Sequence, residues 1–149
     1  MAKIAVGADH GGYELKAFLM ERLIQEGYEV IDCGVHAAES ADYPDIAAET
    51  CKHVLSGNAQ FGLVMCGTGI GISISANKIR GIRAALCADT YSARMAREHN
   101  DANVLALGGR TVGPELAWDI VQSYLGHTFT GGRHARRVAK IMELEEKGS

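Results

Sequence analysis

The sequence predicts an α/β fold, built on a parallel β-sheet with helices on both faces. Short apolar runs alternate with helical stretches along all 149 residues, as expected for repeated strand–helix units. The runs are apolar throughout, which is typical of strands buried on both faces. The 18 glycines gather after these runs, where loops approach a ligand closely. A chain of this length fits one domain, which we assign to residues 1–149.

Five segments have the composition of buried strands. Each is rich in small or branched apolar residues and is followed by glycine or a polar residue. Because helical segments separate them, these strands should form one parallel sheet whose carboxyl ends share an edge, with right-handed crossovers. The predicted strands cover residues 3–8, 28–33, 61–66, 83–88 and 104–107.

Helical periodicity and helix-boundary residues mark the segments between the strands. Leu15, Leu19 and Leu23 recur at helical spacing, and Gly27 ends that helix. Pro44 lies in the first turn of the next helix. The segment 70–79 carries few charges, so we expect its helix to be buried on most sides. The predicted helices cover residues 13–26, 42–55, 70–79, 89–98 and 113–125, with a last one between 132 and 147.

Bulk properties exclude several functions. The net charge of −3 gives no reason to expect nucleic acid or an anionic membrane as a partner. No signal peptide is visible, and no apolar stretch approaches the roughly 20 residues of a membrane helix. The four cysteines are widely spaced without a C-x-x-C pair, so we expect neither a zinc site nor a disulfide framework. Reduced thiols indicate a cytoplasmic protein.

In such a sheet the ligand crevice lies beyond the carboxyl ends of the strands. The polar residues at those ends should therefore converge. For Asp9 and His10 we favour contact with a ligand over the alternative of a helix cap and a polar loop residue. The complete set is Asp9, His10, Cys66 to Thr68, Asp89, and Gly108 to Arg110.

The most informative segment is the third strand with the turn behind it, Phe61-Gly-Leu-Val-Met-Cys66-Gly-Thr-Gly-Ile-Gly71. Its glycines predict a tight turn into a helix, with backbone N–H groups and the positive end of a helix dipole directed outward. Such a place suits an anion and favours the thiolate form of a cysteine. Taken alone, the segment is equally compatible with a packing turn and an inert core thiol.

The turn lacks the spacing of the familiar phosphate loops. Gly67-Thr-Gly-Ile-Gly71 is not G-x-G-x-x-G, and no Gly-Lys-Ser/Thr follows it. Ile72 stands where a phosphatase-like Cys-x5-Arg loop would need arginine. What remains is an oxyanion hole beside a thiol and the Thr68 hydroxyl.

Candidate residues also lie at the end of a charged helix and in a basic cluster. His99 either complements the helix dipole or serves a site, whereas we take His36, His53 and His127 as surface or packing residues. Arg133 and Arg137 share a helix face and suit a phosphate dianion. The alternative is a solvated basic helix neutralised by nearby glutamates. The cluster is Arg133, His134, Arg136, Arg137 and Lys140, and the glutamates are Glu143, Glu145 and Glu146.

Together these motifs resemble the family of type B ribose-5-phosphate isomerases, which also holds galactose-6-phosphate isomerase subunits. The resemblance covers nearly the whole chain, and several motifs in the right order and spacing make it specific. It implies a Rossmann-like three-layer sandwich, a dimer or tetramer, and neither metal nor cofactor. The motifs are Asp9-His10-Gly-Gly, Asp42-Tyr43-Pro44, Cys66-Gly-Thr-Gly-Ile-Gly-Ile-Ser73, Ala76-Asn77-Lys78, Gly81-Ile-Arg83-Ala84, His99-Asn100-Asp101-Ala-Asn103 and Gly131-Gly-Arg-His134.

The resemblance also implies catalytic roles. Cys66 would be the base that moves a proton between C1 and C2 of the sugar. His99 would open the sugar ring, with Asp9 and Thr68 assisting. In one branch of the family a glutamate directly after the glycine turn replaces the cysteine. Ile72 stands at that position here, so the chain is similar to the cysteine branch. The residues expected to hold the enediolate oxygens are Gly67, Thr68, Gly69, Ile70 and Gly71.

Substrate binding is implied by the same resemblance. Tyr43 and Asn100 would line the sugar site. His99 and Asn100 are expected to reach in from a second subunit. The residues expected around the phosphate are Arg110, Arg133 and Arg137, with His10 and His134 near them.

We therefore predict a cofactor-free, metal-free isomerase that interconverts ribose 5-phosphate and ribulose 5-phosphate, a step of the pentose phosphate pathway. One alternative is the same chemistry on a six-carbon phosphosugar, such as allose 6-phosphate or galactose 6-phosphate. Another is a non-catalytic nucleotide-binding module, which gives no reason for a thiol beside the turn. We expect a homodimer or homotetramer with shared active sites.

Overall fold

A computed structural model describes residues 2–148 and contains the expected five-stranded sheet. The strands are β1 (Lys3–Ala8), β2 (Glu29–Asp32), β3 (Phe61–Cys66), β4 (Ala84–Leu86) and β5 (Val104–Gly108). All neighbours are parallel, in the order β2-β1-β3-β5-β4. The carboxyl ends of β1, β3 and β5 therefore lie side by side at the centre of one edge.

Helices cover both faces of the sheet, which confirms the predicted three-layer α/β fold. One layer contains α1, α4 and α5, and the other contains α2 and α3. A sixth helix, α6, follows at the C-terminus and has no buried residue. The bounds are α1 (Tyr13–Gln25), α2 (Tyr43–Leu55), α3 (Ile70–Asn77), α4 (Thr90–Glu98), α5 (Pro114–Leu125) and α6 (Arg133–Lys147).

Successive residues of β3 point to opposite layers, which explains its unbroken apolar sequence. Leu63 and Met65 pack in the core beneath α1, α4 and α5, whereas Val64 and Cys66 pack beneath α2 and α3. Because both faces of β3 are buried, the side chains that point to either face are apolar. The side chain of Cys66 thus enters the layer in which α3 begins.

The edge strand β4 is shorter than the predicted segment 83–88. Side-chain amides provide hydrogen bonds at its start: Asn103 Oδ1 accepts the Arg83 N–H at 2.8 Å, and Asn77 Oδ1 accepts the Ala84 N–H at 2.8 Å. The Asn77 amide also donates to the Ala84 carbonyl at 2.9 Å. A side chain therefore occupies part of the free edge that a further strand would otherwise pair with.

Burial of α3 is one-sided, contrary to the expectation of cover on most sides. Ile72 is fully buried, whereas Ile70 and Ile74 are 52% and 55% exposed. The sequence lacks charges on both sides of this helix, but the chain's own core covers only one of them. The outward isoleucines form an apolar surface next to the glycine turn.

Three glycine loops meet where β1, β3 and β5 end. A Cβ atom on Gly109 would lie 2.5 Å from the Gly11 carbonyl oxygen, and one on Gly11 would lie 2.8 Å from the Gly67 nitrogen. Hydrogen bonds join the loops, from Gly109 N–H to the Cys66 carbonyl at 2.8 Å and from Arg110 N–H to the Gly67 carbonyl at 2.9 Å. Close backbone contact, possible only without side chains, holds this edge together.

We expect Gly109→Ala to destabilise the protein by about 1–3 kcal/mol, because its methyl group would overlap backbone that cannot move aside. Gly113→Ala is the matched control, since a Cβ there has no atom within 4 Å. Urea unfolding of both variants measures the difference. Equal stability of the two variants would contradict the close-contact explanation.

Candidate active site

Cys66 is the last residue of β3, and its side chain is 5% exposed. Its Sγ atom accepts a hydrogen bond from the Gly69 N–H at 3.2 Å. Gly69 directs this N–H backwards because it adopts the left-handed conformation, with φ of 79°. A donor at this distance stabilises negative charge on the sulfur.

The turn after Cys66 presents backbone donors that the protein itself does not use. Within residues 2–148, the N–H groups of Gly67, Thr68 and Gly71 make no hydrogen bond. The N–H of Ile70 donates to Thr68 Oγ1 at 3.2 Å. Since α3 begins here, the positive end of its dipole adds to these donors. The arrangement is an oxyanion cradle next to a thiol.

Two charged side chains from neighbouring loops border this cradle. Asp9 is buried, and its Oδ1 atom accepts the Gly11 N–H at 2.9 Å, which fixes the carboxylate beside the glycine contact. Arg110 is exposed and lies across Gly67: a Cβ on that glycine would be 3.1 Å from Arg110 Nη1. The predicted convergence of these two residues with Cys66 is therefore observed.

Tyr43 and His10 complete this group of residues. Tyr43 begins α2, and its ring covers Gly71 so closely that a Cβ there would lie 2.6 Å from the ring Cζ. His10 is exposed, and its Nδ1 atom accepts the Ala41 N–H at 3.4 Å. Both side chains lie, like Cys66, where the strands have their carboxyl ends. We call this end of the sheet the carboxyl edge.

Asp89, also predicted at this edge, has its hydrogen bonds with its own helix. Its carboxylate caps α4, accepting the Ser92 N–H at 2.7 Å and the Ser92 hydroxyl at 2.8 Å. These bonds hold the pKa of Asp89 below its usual range. Because β4 is separated from β3 by β5, Asp89 starts about two strand spacings, roughly 10 Å, to the side.

A second group of predicted site residues lies where the strands have their amino ends, which we call the amino edge of the sheet. Helix α4 runs back from the carboxyl end of β4 and ends at His99, just before the amino end of β5. The length of β5, about 15 Å, therefore separates this group from the Cys66 group within one chain. We call it the amino-edge cluster, and it consists of His99, Asn100, Arg133, His134 and Arg137.

The rings of His99 and His134 join the two parts of the amino-edge cluster. They stack with centroids 3.9 Å apart and an interplanar angle of 10°. Partial desolvation, together with nearby His99, Arg133 and Arg137, lowers the pKa of His134. A neutral ring is therefore favoured at this position around pH 7, and it can stack without charge repulsion.

The arginines of α6 have unused charge. Within residues 2–148, neither Arg133 nor Arg137 forms an ion pair. Two of the three neutralising glutamates of the alternative interpretation have other partners: Glu145 accepts the Gly81 N–H at 3.0 Å, and Glu146 pairs with Arg80 at 2.9 Å. Two exposed guanidinium groups on one helix face suit an anion.

Sequence reasoning missed Lys16, which orders the loop after β2. Its buried amine donates to Asp32 at 2.6 Å and to the Val35 carbonyl at 2.7 Å. Burial opposes ionisation of Asp32, but the bonds from Lys16 and the Gly34 N–H hold its pKa below the usual range. The sequence contains a sign of this role, because Lys16 is a charged residue on the apolar face of α1, which it shares with Leu19.

Within residues 2–148, no helix is long and apolar enough to cross a membrane. The same residues contain no group of three or more His, Cys, Asp or Glu side chains placed to hold a metal ion. Ile72, at the position where a glutamate would be the base, is fully buried in the core.

The fold and the Cys66 group together define an α/β protein with a thiol and an oxyanion cradle at the carboxyl edge of its sheet. The family model described as Ribose/Galactose Isomerase matches residues 4–141. The chain belongs to this family, which confirms the resemblance carried by its motifs.

Individual relatives extend over nearly the whole chain. Ribose-5-phosphate isomerase B of Escherichia coli is 48% identical over 147 residues, with 99% of each chain covered. D-erythrulose-4-phosphate isomerase of Pectobacterium atrosepticum is 46% identical over 148 residues, covering 99% of this chain and 97% of the relative. The structure of Clostridium thermocellum ribose-5-phosphate isomerase B matches with a TM-score of 0.97 at 58% identity, with 99% of each chain covered. These similarities identify the chain as an isomerase and decide against a nucleotide-binding module.

The four thiols should differ in reactivity. Burial raises the pKa of Cys51 and of Cys87 to about 11, so at pH 7.5 only about one such thiol in several thousand is ionised. Cys66 differs from them because its Sγ atom accepts a hydrogen bond from the Gly69 N–H. We expect iodoacetamide to label Cys66 well before Cys51 and Cys87, as measured by mass spectrometry of the native protein.

Labelling in urea is the control, because all four cysteines should then react at similar rates. Native labelling of Cys51 or Cys87 as fast as that of Cys66 would show that the Gly69 contact does not activate the thiol.

Proposed function

We propose that this isomerase interconverts D-ribose 5-phosphate and D-ribulose 5-phosphate through an enediolate, with Cys66 as the base. The observation that carries the proposal is the position of Cys66 Sγ, which accepts the Gly69 N–H at 3.2 Å beside the unused N–H groups of the turn. The names of the Escherichia coli and Clostridium thermocellum relatives support this substrate.

The chemistry needs a base and a stabilised oxygen. Cys66 removes the proton from C2 of the open aldose, and the electron pair moves through a new C1–C2 double bond onto the C1 oxygen. The sulfur then returns the proton to C1 while the hydroxyl proton passes from O2 to O1, which leaves the carbonyl at C2. A backbone donor to the charged oxygen contributes about 3 kcal/mol, and a positioned base about 10²–10⁴-fold.

The residues of the turn have separate tasks in this scheme. The N–H groups from Gly67 to Gly71 bind the enediolate oxygens. Thr68 and the buried Asp9 assist ring opening by His99. Tyr43, held over Gly71, and Asn100 bind the sugar hydroxyls. None of these steps requires a redox cofactor or a metal ion.

The phosphate would be bound by groups from two copies of the chain. Arg110 and His10 lie at the carboxyl edge, whereas Arg133, His134 and Arg137 lie at the amino edge of the same molecule. A second copy can bring its amino-edge cluster to the Cys66 group of the first. A dianion between Arg110 and the partner's arginine pair would hold the reacting carbons near Cys66.

Exposed apolar surface supports a homo-oligomer, either a dimer or a tetramer. Ile70 and Ile74 are more than half exposed beside the glycine turn, and Leu144 of α6 is 70% exposed. A groove of about 720 Å³ runs between α6 and the start of β4, with Met142 and Asn100 in its lining. A second copy of the chain would cover these surfaces and deliver His99 and Asn100 to the site.

The names of the relatives differ in the length of the sugar. One relative of similar identity is a D-erythrulose-4-phosphate isomerase, and the family description includes galactose. Comparing kcat/KM on four-, five- and six-carbon phosphosugars identifies the preferred substrate. A higher value for allose 6-phosphate or galactose 6-phosphate would favour the six-carbon alternative.

The four free cysteines fit our expectation of a cytoplasmic enzyme.

The base assignment is tested by Cys66→Ala with ribose 5-phosphate in the presence of EDTA. We expect wild-type turnover in EDTA and a loss of about 10²–10⁴-fold in kcat for the variant, because the proton acceptor is absent. Formation of ribulose 5-phosphate is the measurement. Cys51→Ala is the matched control, since that thiol belongs to α2 and is fully buried. An active Cys66→Ala would place the base on another residue.

The shared site is tested by combining two inactive variants, Cys66→Ala and His99→Asn. A mixed dimer would contain one site with both defects and one intact site. Random assembly after coexpression should therefore restore about a quarter of the wild-type activity. Purified variants that are mixed without subunit exchange serve as the control. No recovery in verified mixed dimers would contradict a site shared between His99 of one subunit and Cys66 of the other.

A further inference from the structure

Asp101 has an unusual backbone conformation directly after the two amino-edge residues His99 and Asn100. Its φ is 47°, and no other non-glycine residue between 2 and 148 has a positive φ. Glycine is the usual choice for such a position after a helix. A carboxylate just beyond the C-terminal end of α4 is also unfavourable for the helix dipole. Both features cost free energy, so other contacts must hold Asp101 in place.

A buried arginine holds the first oxygen of this carboxylate. Arg97 is 7% exposed, and its Nη1 atom donates to Asp101 Oδ1 at 3.1 Å and to the Ala102 carbonyl at 2.7 Å. Its guanidinium lies 4.6 Å from the ring centroid of Phe61 and 5.7 Å from that of Tyr124. Two aromatic rings thus fix the orientation of Arg97, and Arg97 fixes Asp101.

A second arginine holds the same residue from the start of β4. Arg83 Nη2 donates to the Asp101 carbonyl at 2.8 Å and lies 3.5 Å from Asp101 Oδ2. Arg83 Nε contacts the carbonyls of Asp101 at 3.1 Å and Asn100 at 3.3 Å. The carboxylate and backbone of Asp101 are therefore clamped between two arginines from different elements.

The clamp also reaches α6, which carries the other half of the amino-edge cluster. Arg83 Nη1 lies 3.4 Å from Met142 Sδ, and the His99 ring stacks on His134. Arg83 therefore contacts both the segment that carries His99 and the helix that carries the phosphate-binding arginines. Their relative placement depends on the residues that hold Asp101.

We infer that Asp101 is a positioning residue: its clamped, left-handed turn sets the direction in which His99 enters the site of the neighbouring subunit. The inference rests on the proposed function, in which His99 opens the sugar ring. Asp101 does not touch the reacting atoms. A displacement of about 1 Å at His99 is enough to cost up to 10²-fold in rate.

Asp101→Gly separates positioning from the mere ending of a helix. Glycine adopts a positive φ without strain, so the variant keeps the backbone turn and removes only the clamped carboxylate. Asp101→Asn keeps the shape and one oxygen for Arg97, and asparagine also tolerates a positive φ. Glu115→Gln is the control, because it breaks an exposed ion pair with Arg22 of 2.9 Å on another part of the surface.

Two rates distinguish the roles of His99 and Cys66. Conversion of ribose 5-phosphate requires ring opening, whereas exchange of the C1 proton of ribulose 5-phosphate with deuterium oxide requires only the enediolate step on an open chain. We expect Asp101→Gly to lower kcat for conversion by about 10- to 100-fold, with exchange within about threefold of wild type. Asp101→Asn should rescue part of the loss, and Glu115→Gln should match wild type.

Thermal unfolding and gel filtration accompany both rates. Conversion by Asp101→Gly at the wild-type rate, or an equal fall in conversion and exchange, would overturn the positioning role. If the glycine variant does not fold, the same two rates for Asp101→Asn decide, with a selective loss of conversion supporting the role and an equal loss opposing it. A wild-type protein that neither converts nor exchanges these sugars would overturn the proposed function itself.

Discussion

Backbone contact between three glycine loops is the constraint on which the carboxyl edge depends. Gly11, Gly67 and Gly109 follow the adjacent strands β1, β3 and β5, and each lacks the Cβ atom that would hold its neighbour away. Asp9, Cys66 and Arg110 therefore come from three distant parts of the chain to one edge of the sheet. Rigid strands set the positions, and the glycines remove the obstacle between them.

Most of the fold could be predicted from the sequence because β1, β3 and β5 are buried on both faces and show this as unbroken apolar runs. The thiol and turn at Cys66 could be predicted for the same reason, since strand, turn and helix are contiguous. The short β4 could not, because the amides of Asn77 and Asn103 occupy its hydrogen-bonding groups through tertiary contacts. The cover of Tyr43 over Gly71 is likewise a contact between distant segments.

The position of His99 follows from topology rather than from residue type. A helix that connects parallel strands returns the chain to the amino edge, so a residue at its C-terminal end lies far from the carboxyl-edge crevice. Asp89, at the other end of α4, starts on the correct edge but caps the helix. The motif that contains His99 indicates that this residue matters without indicating at which edge of the sheet it lies.

Each edge of one molecule holds a chemically incomplete set of groups. The carboxyl edge has the thiol, the oxyanion donors and Arg110, but a phosphate dianion is poorly neutralised by one exposed guanidinium. At the amino edge, two stacked imidazoles lie beside Arg133 and Arg137, which form no ion pair within residues 2–148. On the proposed shared site, association supplies to each edge what it lacks. Activity then depends on subunit association, because separation of the subunits removes the phosphate-binding arginines and the ring-opening group together.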